Sequence, residues 1–289
     1  MRLNVLKTYK LFIGGKFPRP ESGRVLTVVE AVDGGHLAHY AHGSKKDLRD
    51  AVSAARGALG GWAGSSAYLK GQILYRLAEM VEGRAEALAA ELVAGTGCAR
   101  AAAVAEVAAA VDRLVYVAGW TDKLSQVFGS VNPVAGPFFN FSAFEGTGVV
   151  VAFAPDQPSL LGAVTLLGNA LAVGNSVVLV ASEKFPLSAM SLAEAVATSD
   201  VPGGVVNILT GKRAELVSAA AEHRDVDAVV DGMGVAEWTR ILQAGSGTNM
   251  KRVTVLPSGL DWRDNDAAAG PYRLLELVET RTTWHPVGA

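Results

Sequence analysis

Gly148–Gly211 reads GVVVAFAPDQPSLLGAVTLLGNALAVGNSVVLVASEKFPLSAMSLAEAVATSDVPGGVVNILTG, and its pattern decides the fold. Three apolar, β-branched runs, Val149–Ala154, Ser176–Val180 and Val205–Leu209, are separated by two helix-like segments with turn residues at the joints. Short apolar strands alternating with helices of this length predict parallel strands covered on both faces, a doubly wound α/β core. Ligands of such sheets sit at the carboxyl ends of the strands, which directs attention to Pro155–Gln157, Ala181–Glu183 and Gly211. Leu160–Ala181 carries no charged residue and is long enough to span a bilayer. Gly174-Asn175 and Asn169 interrupt it, so it is read as a buried helix, a turn and a strand.

Outward from this core, Tyr9–Gly15, Lys16–Gly23 and Arg24–Glu30 read as a hairpin with a Pro/Gly-rich connection. Ser44, with Asp47 three residues on, marks an N-cap. A helix is expected over Lys45–Leu59, ended by Gly60-Gly61, and others over Ala67–Val81, Glu86–Val93 and Ala99–Trp120. Val127–Glu145 differs in kind: Pro/Gly turns separate β-prone residues, giving a hairpin outside the parallel sheet. Beyond Gly211 come a helix over Ala214–Ala221, a strand over Ala228–Val230, and a loop at Asp231–Gly234. A helix over Val235–Ala244 and a strand over Lys251–Leu256 follow, then a polar loop over Pro257–Pro271.

The formal net charge of -2 over 289 residues gives no electrostatic reason to expect nucleic acid or an anionic membrane as partner. The single cysteine excludes an intramolecular disulfide, which makes a reducing, cytoplasmic setting the expectation. Met1–Gly15 lacks the apolar core and cleavage site of a secretory signal. His36, His39 and His42 lie in a stretch read as extended, where their spacing sends successive rings to opposite faces. With no acidic or thiol ligand nearby they are read as surface histidines, and no metal ligand is assigned.

The order of blocks resembles the aldehyde dehydrogenase superfamily: A-P-x-x after the first strand, G-N-S-V-V-L, S-E, P-L-S-A and P-G-G-V-V-N-I-L-T-G. The opening I-G-G-K and Ala118–Leu124 (AGWTDKL) belong to the same likeness. The resemblance implies a cofactor-type domain over residues 1–126 and 147–262, including N-terminal helices. It further implies oligomerisation arm strands over 127–146 and 272–289, with Val278–Trp284 as the last strand; from the residues alone, the alternative for Val127–Glu145 is an ordinary surface hairpin. The catalytic domain that the family places between Lys251–Leu256 and the tail is expected to be absent.

Aldehyde oxidation needs a thiolate, a carboxylate base, an oxyanion donor and a dinucleotide. Cys98, beside Arg100, lies upstream of the cofactor strands and is read as structural. Where the family carries E-L-G-G-K, this chain has Leu256-Pro257-Ser258-Gly259-Leu260, and leucine accepts no proton. The family's P-W-N becomes Pro155-Asp156-Gln157, with an amide displaced by one methylene. K-P-S-E becomes Val180-Ala181-Ser182-Glu183, and F-T-G-S-T becomes Val230-Asp231-Gly232-Met233-Gly234. Asp231 sets a negative charge where an anion would approach a helix N-terminus. Positions retained for NAD are Pro155, Gln157, Ser182, Glu183, Gly211, Gly232 and Gly234, with no catalytic residue assigned and cofactor binding weakened. The resemblance therefore implies a pseudoenzyme, a structural or regulatory subunit pairing with a full-length aldehyde dehydrogenase or with itself. The rival expectations are an NAD-dependent oxidoreductase sharing catalytic groups with a partner, and an NAD sensor.

Overall fold

The computed structural model describes residues 6–288; Met1–Val5, part of the stretch read for a leader, and Ala289 lie outside them. Strands β1 (Thr8–Tyr9), β2 (Val25–Val29) and β3 (His36–Ala41) form a small sheet in the order β1-β3-β2. Helices α1 (Lys45–Ala63), α2 (Ala67–Glu82), α3 (Ala85–Thr96), α4 (Arg100–Ala118) and α5 (Leu124–Phe128) follow. β4 (Ser130–Asn132) and β5 (Phe138–Gly146) pair as a hairpin and lead into the main sheet. That sheet is built from β6 (Val149–Phe153), α6 (Ser159–Ala172), β7 (Ser176–Val180), α7 (Leu187–Ala197), β8 (Val206–Leu209), α8 (Arg213–Glu222), β9 (Ala228–Asp231), α9 (Ala236–Gly245) and β10 (Arg252–Val255). Two short helices, α10 (Asn265–Ala269) and α11 (Pro271–Leu275), precede β11 (Val278–Pro286).

The main sheet is parallel throughout, in the order β10-β9-β6-β7-β8. Every residue of β6 and β7 is buried, and alternate residues feed two separate cores. Val150, Ala152, Val177 and Leu179 face α2, α3, α4, α6 and α7. Val149, Val151, Phe153, Val178 and Val180 face α1, α8 and α9. This is the doubly wound α/β sheet expected, and two-sided burial is why its strands read as continuous apolar runs. The Leu160–Ala181 stretch folds as α6, a turn and β7, and no helix among the described residues is long and apolar enough to cross a membrane.

Several local expectations are corrected. Tyr9–Gly15 does not pair with Arg24–Glu30: β1 runs parallel to β3, Phe12 bridges to Ile208, and β2 pairs with β3. α1 continues through Gly60-Gly61 to Ala63, because Trp62 is fully buried and the next core contact outweighs glycine's poor helix propensity. A register irregularity beside Val29 brings His36 and His39 together, with ring centroids 4.3 Å apart, on one side of the strand. His42 is buried, its Nε2 3.4 Å from Glu215. Pro257–Pro271 is not wholly loop: the Asp264 side chain caps α10. Between β10 and β11 the chain holds only loop and the two short helices.

Glu91 on α3 accepts hydrogen bonds from the hydroxyls of Tyr9 and Ser191 on one oxygen, while its other oxygen is buried without a partner. Burial pushes the carboxyl above its ordinary range, only partly offset by those two hydrogen bonds. The folded state thus holds the Glu91 proton more tightly, and the stability it contributes is lost as pH rises from the ordinary glutamate range through the raised value. Glu91→Gln is expected to raise Tm relative to the parent at about pH 8 and to leave it nearly unchanged at about pH 4. Thermal scans would show roughly 2–4 °C for each kcal/mol recovered.

Candidate active site

The strand order reverses between β6 and β9, so a ligand crevice is expected outside their carboxyl ends. A parallel sheet leaves carbonyl groups unpaired there, and each needs a donor. Arg213, the first residue of α8, supplies it. The side chain is almost fully buried, its guanidinium donates to the carbonyls of Ala154 and Ala181, and Nη1 lies 2.8 Å from Asp156 Oδ1. Burial lowers the Arg213 pKa, and Asp156 and Glu183 act in the other direction to hold its charge.

Asp156 gathers the neighbouring groups. Its Oδ1 also accepts from Ser182 Oγ at 2.9 Å, and Oδ2 lies 3.3 Å from Lys184 Nζ. Ser182 in turn accepts from the backbone N–H of Phe185, so its hydroxyl is committed in both directions. Glu183 Oε2 accepts from the backbone N–H of Arg213 at 3.0 Å, which places a carboxylate at the first turn of α8. There it gains from the helix dipole as a bound anion would.

The same substitution of carboxylate for ligand recurs along the edge. Pro158 cannot cap α6 with its side chain; instead Glu106, on α4, accepts from the N–H groups of Leu160 and Leu161 at 2.8 and 3.2 Å. Asp231, fully buried, accepts from Met233 N–H at 2.9 Å and from the Thr239 hydroxyl at the start of α9. Over this loop lies Trp262, whose ring would be 3.5 Å from a Cβ placed on Gly232. Arg113 ties the Trp262 segment down: its guanidinium donates to the carbonyl of Trp262 at 2.6 Å, to Thr165 Oγ1 at 2.6 Å and to Asn265 Oδ1 at 2.7 Å.

Of the residues singled out from sequence, Pro155, Ser182, Glu183, Gly211 and Gly232 do stand at the carboxyl ends of neighbouring strands. Pro155 is packed against Gly162, and Gly211, at φ +146°, lies against Gly43; both are scaffold contacts. Gly234, at φ +69°, forms the turn before α9 and touches nothing through the Cβ direction. Gln157 points elsewhere, into a groove of about 430 Å³ that it lines with Cys98, Glu106, Leu260, Asp261 and Trp262. Cys98, distant in sequence, thus lines the same groove as Gln157. Sequence reasoning missed Arg213, Glu106 and Trp262.

As a donor set this edge is occupied by carboxylates at α6 and α8. Glu106 occupies the mouth of α6, Glu183 that of α8, and Asp231 the approach to α9. A diphosphate brought to α6 or α8 meets a carboxylate already on the first N–H groups, whereas the start of α9 carries no side-chain cap and is approached past Asp231; the guanidinium of Arg213 is already paired with Asp156.

The sequence model of the aldehyde dehydrogenase family matches residues 17–261. The mitochondrial aldehyde dehydrogenase of Leishmania tarentolae is 34% identical over 247 residues, covering 85% of this chain and 49% of that protein. The NADP/NAD-dependent aldehyde dehydrogenase PuuC of Escherichia coli is 32% identical over 252 residues, covering 86% and 50% respectively. Among solved structures, an NAD+ complex of an aldehyde dehydrogenase from Bacillus cereus superposes with a TM-score of 0.81 at 29% identity, over 86% of this chain and 50% of that one. The chain spans about half the length of these relatives, and the matched residues stop before β11.

Arg213→Ala removes the buried cation beside Asp156 and the donor of two strand-end carbonyls, and is expected to cost about 3 kcal/mol. Glu183→Ala removes only a helix-end acceptor and is expected to cost about 1 kcal/mol. Urea unfolding midpoints at constant m separate the two.

Proposed function

The chain belongs to the aldehyde dehydrogenase family, and we propose that it serves as a non-catalytic structural or regulatory subunit which pairs, through its arm strands, with a full-length aldehyde dehydrogenase or with itself. The observation that carries this reading is the carboxyl edge of the sheet, where Glu106 and Glu183 take the first N–H groups of α6 and α8, Asp231 sets a carboxylate before α9, and Arg213 closes the strand ends. Residues 1–126 and 147–262 act as the cofactor-type scaffold, and 127–146 with 272–289 as the arm. Leucine at position 256, buried beside the end of β10, leaves no base there to activate water. The setting is cytoplasmic, and neither nucleic acid nor membrane is a partner.

The groove shared by Cys98 and Gln157 supports a second reading. A thiol and an amide lining one groove are two of the groups an acyl-transfer site needs, and a partner chain supplying base and dinucleotide would complete an oxidoreductase. In that case turnover by the complex is lost on Cys98→Ser and retained on Tyr272→Ser, an exposed residue away from the groove.

Under the leading reading the purified chain forms no reduced nicotinamide from aldehydes, and millimolar NAD leaves its Tm unmoved. A ligand present at a hundred times its Kd would add about 2.7 kcal/mol of stability, readily seen in a thermal scan. Turnover by the isolated chain, or a dose-dependent rise in Tm with NAD, overturns the reading.

A further inference from the structure

The amino end of the main sheet, opposite the crevice, holds a second cavity, of about 500 Å³. Gly146 at the end of β5, Gly174 just before β7 and Val278 at the start of β11 line it, together with the junction of α1 and α2. Leu124, Phe144 and Val173 make much of its wall apolar. A space of this size takes a small organic molecule. Two charged residues line it. Glu145 is exposed, and its carboxylate is paired with Arg281. Lys70, the fourth residue of α2, is only 7% exposed.

The Lys70 Nζ donates to the carbonyl of Ala63 at 3.1 Å and to that of Ser65 at 2.5 Å. Among the described residues no carboxylate lies within 4 Å of it and no third acceptor bonds to it. An ammonium carries three donors, and a neutral amine two. The two carbonyls therefore satisfy the neutral form completely and leave its lone pair free, whereas a buried charge without a counter-ion is costly. The Trp62 ring, 5.9 Å from Nζ, is at the outer limit for attracting a cation. Burial accordingly pushes Lys70 below the ordinary lysine range. Lys251 is the natural comparison: it too is buried, and it donates to the carbonyl of Ala221 at 2.6 Å, but it is not among the residues of this cavity.

We propose that Lys70 captures an aldehyde in this cavity as an imine on Nζ. The inference goes beyond the subunit role, since neither pairing of the arm nor NAD enters it. A desolvated amine is a nucleophile for carbonyl carbon. An uncharged aldehyde suits the walls, because Lys70 is the only cation among the residues lining the cavity and nothing else there would hold a phosphate or carboxylate. The lone pair of Nζ forms the C–N bond as the carbonyl π pair moves to oxygen. That oxygen leaves as water with the two nitrogen protons, and the C=N bond remains; no oxidant or reductant is consumed. One solvent proton taken up by the imine restores a donor to one of the two carbonyls. Neither Ala63 nor Ser65 is buried, so the other carbonyl turns to water.

The test treats the full chain with limiting hexanal and sodium cyanoborohydride, which reduces an imine to a stable secondary amine, and reads each lysine by peptide mapping and mass spectrometry. At about pH 7, Lys70 is expected to gain the hexyl group roughly tenfold faster than the exposed Lys16 and Lys212. This comparison within the parent chain needs no variant. Lys70→Arg keeps donors for both carbonyls but no nucleophile, so it is expected to lose the fast modification while far-UV circular dichroism is retained. Ser125→Phe adds bulk at an exposed position of the cavity and is expected to slow modification of Lys70 while leaving Lys16 unchanged. Lys70 modified no faster than Lys16, or at the same rate in Ser125→Phe, overturns the proposal. Hexanoate that raises the Tm of the parent but not of Lys70→Met, with Lys70 left unmodified by hexanal, also overturns it, in favour of an ammonium that holds an anion. None of these outcomes touches the subunit role, which turns on NAD and turnover.

Discussion

The structure depends on how the carboxyl ends of β6 and β7 are satisfied. A parallel strand ends with carbonyl groups that no further strand can meet, and burying them unpaired is costly. Arg213 answers with one planar fork reaching Ala154, Ala181 and Asp156 together, a geometry open to a guanidinium and not to an ammonium. Because Arg213 is also the first residue of α8, the helix and the strand ends are locked in one step. Its backbone N–H then orients Glu183, and Asp156 orients Ser182. Positions that could have faced a ligand are consumed by a network internal to the chain.

A second buried guanidinium closes the other side. Arg113 has no carboxylate within its hydrogen-bond shell; carbonyls, a hydroxyl and an amide satisfy it instead. Burial lowers its pKa, though not far enough for an arginine to lose its proton. What the arrangement achieves is position. It draws the segment after β10 back across α4 and α6, so that Trp262 lies over Gly232 at the reversal of strand order. The residues that follow β10 thus act as a cover for the crevice.

The α/β layering was legible because its signal is periodic and local: apolar runs buried on both faces, punctuated by Gly174-Asn175 and Pro202-Gly203. Helix ends were less legible. Gly60-Gly61 reads as a stop, yet the burial of Trp62 decides otherwise, and that contact is not local. The site was readable by address and not by occupancy. Ser182, Glu183, Gly211 and Gly232 lie where strand-end logic puts them, whereas Glu106 caps α6 from another helix and Arg213 is committed by carbonyls far away in sequence. Asp231 was legible as a carboxylate next to a helix start, a placement that depends on no distant neighbour.

A crevice kept for a ligand tolerates vacant donors, because the ligand brings the acceptors. Once the ligand is dispensable the same donors become a standing cost, and the remedy is a set of intrinsic carboxylates and a guanidinium, as found along this edge. A sheet edge works the other way. Where it is to stay unpaired it is shortened, charged or capped. β11 carries such devices at its two ends only, Arg252 on the Val278 carbonyl and proline at position 286. Its centre, Thr280 to Trp284, is left with backbone groups free. The carboxyl edge of the parallel sheet and the free edge of β11 are thus satisfied by different residues, which can be altered independently.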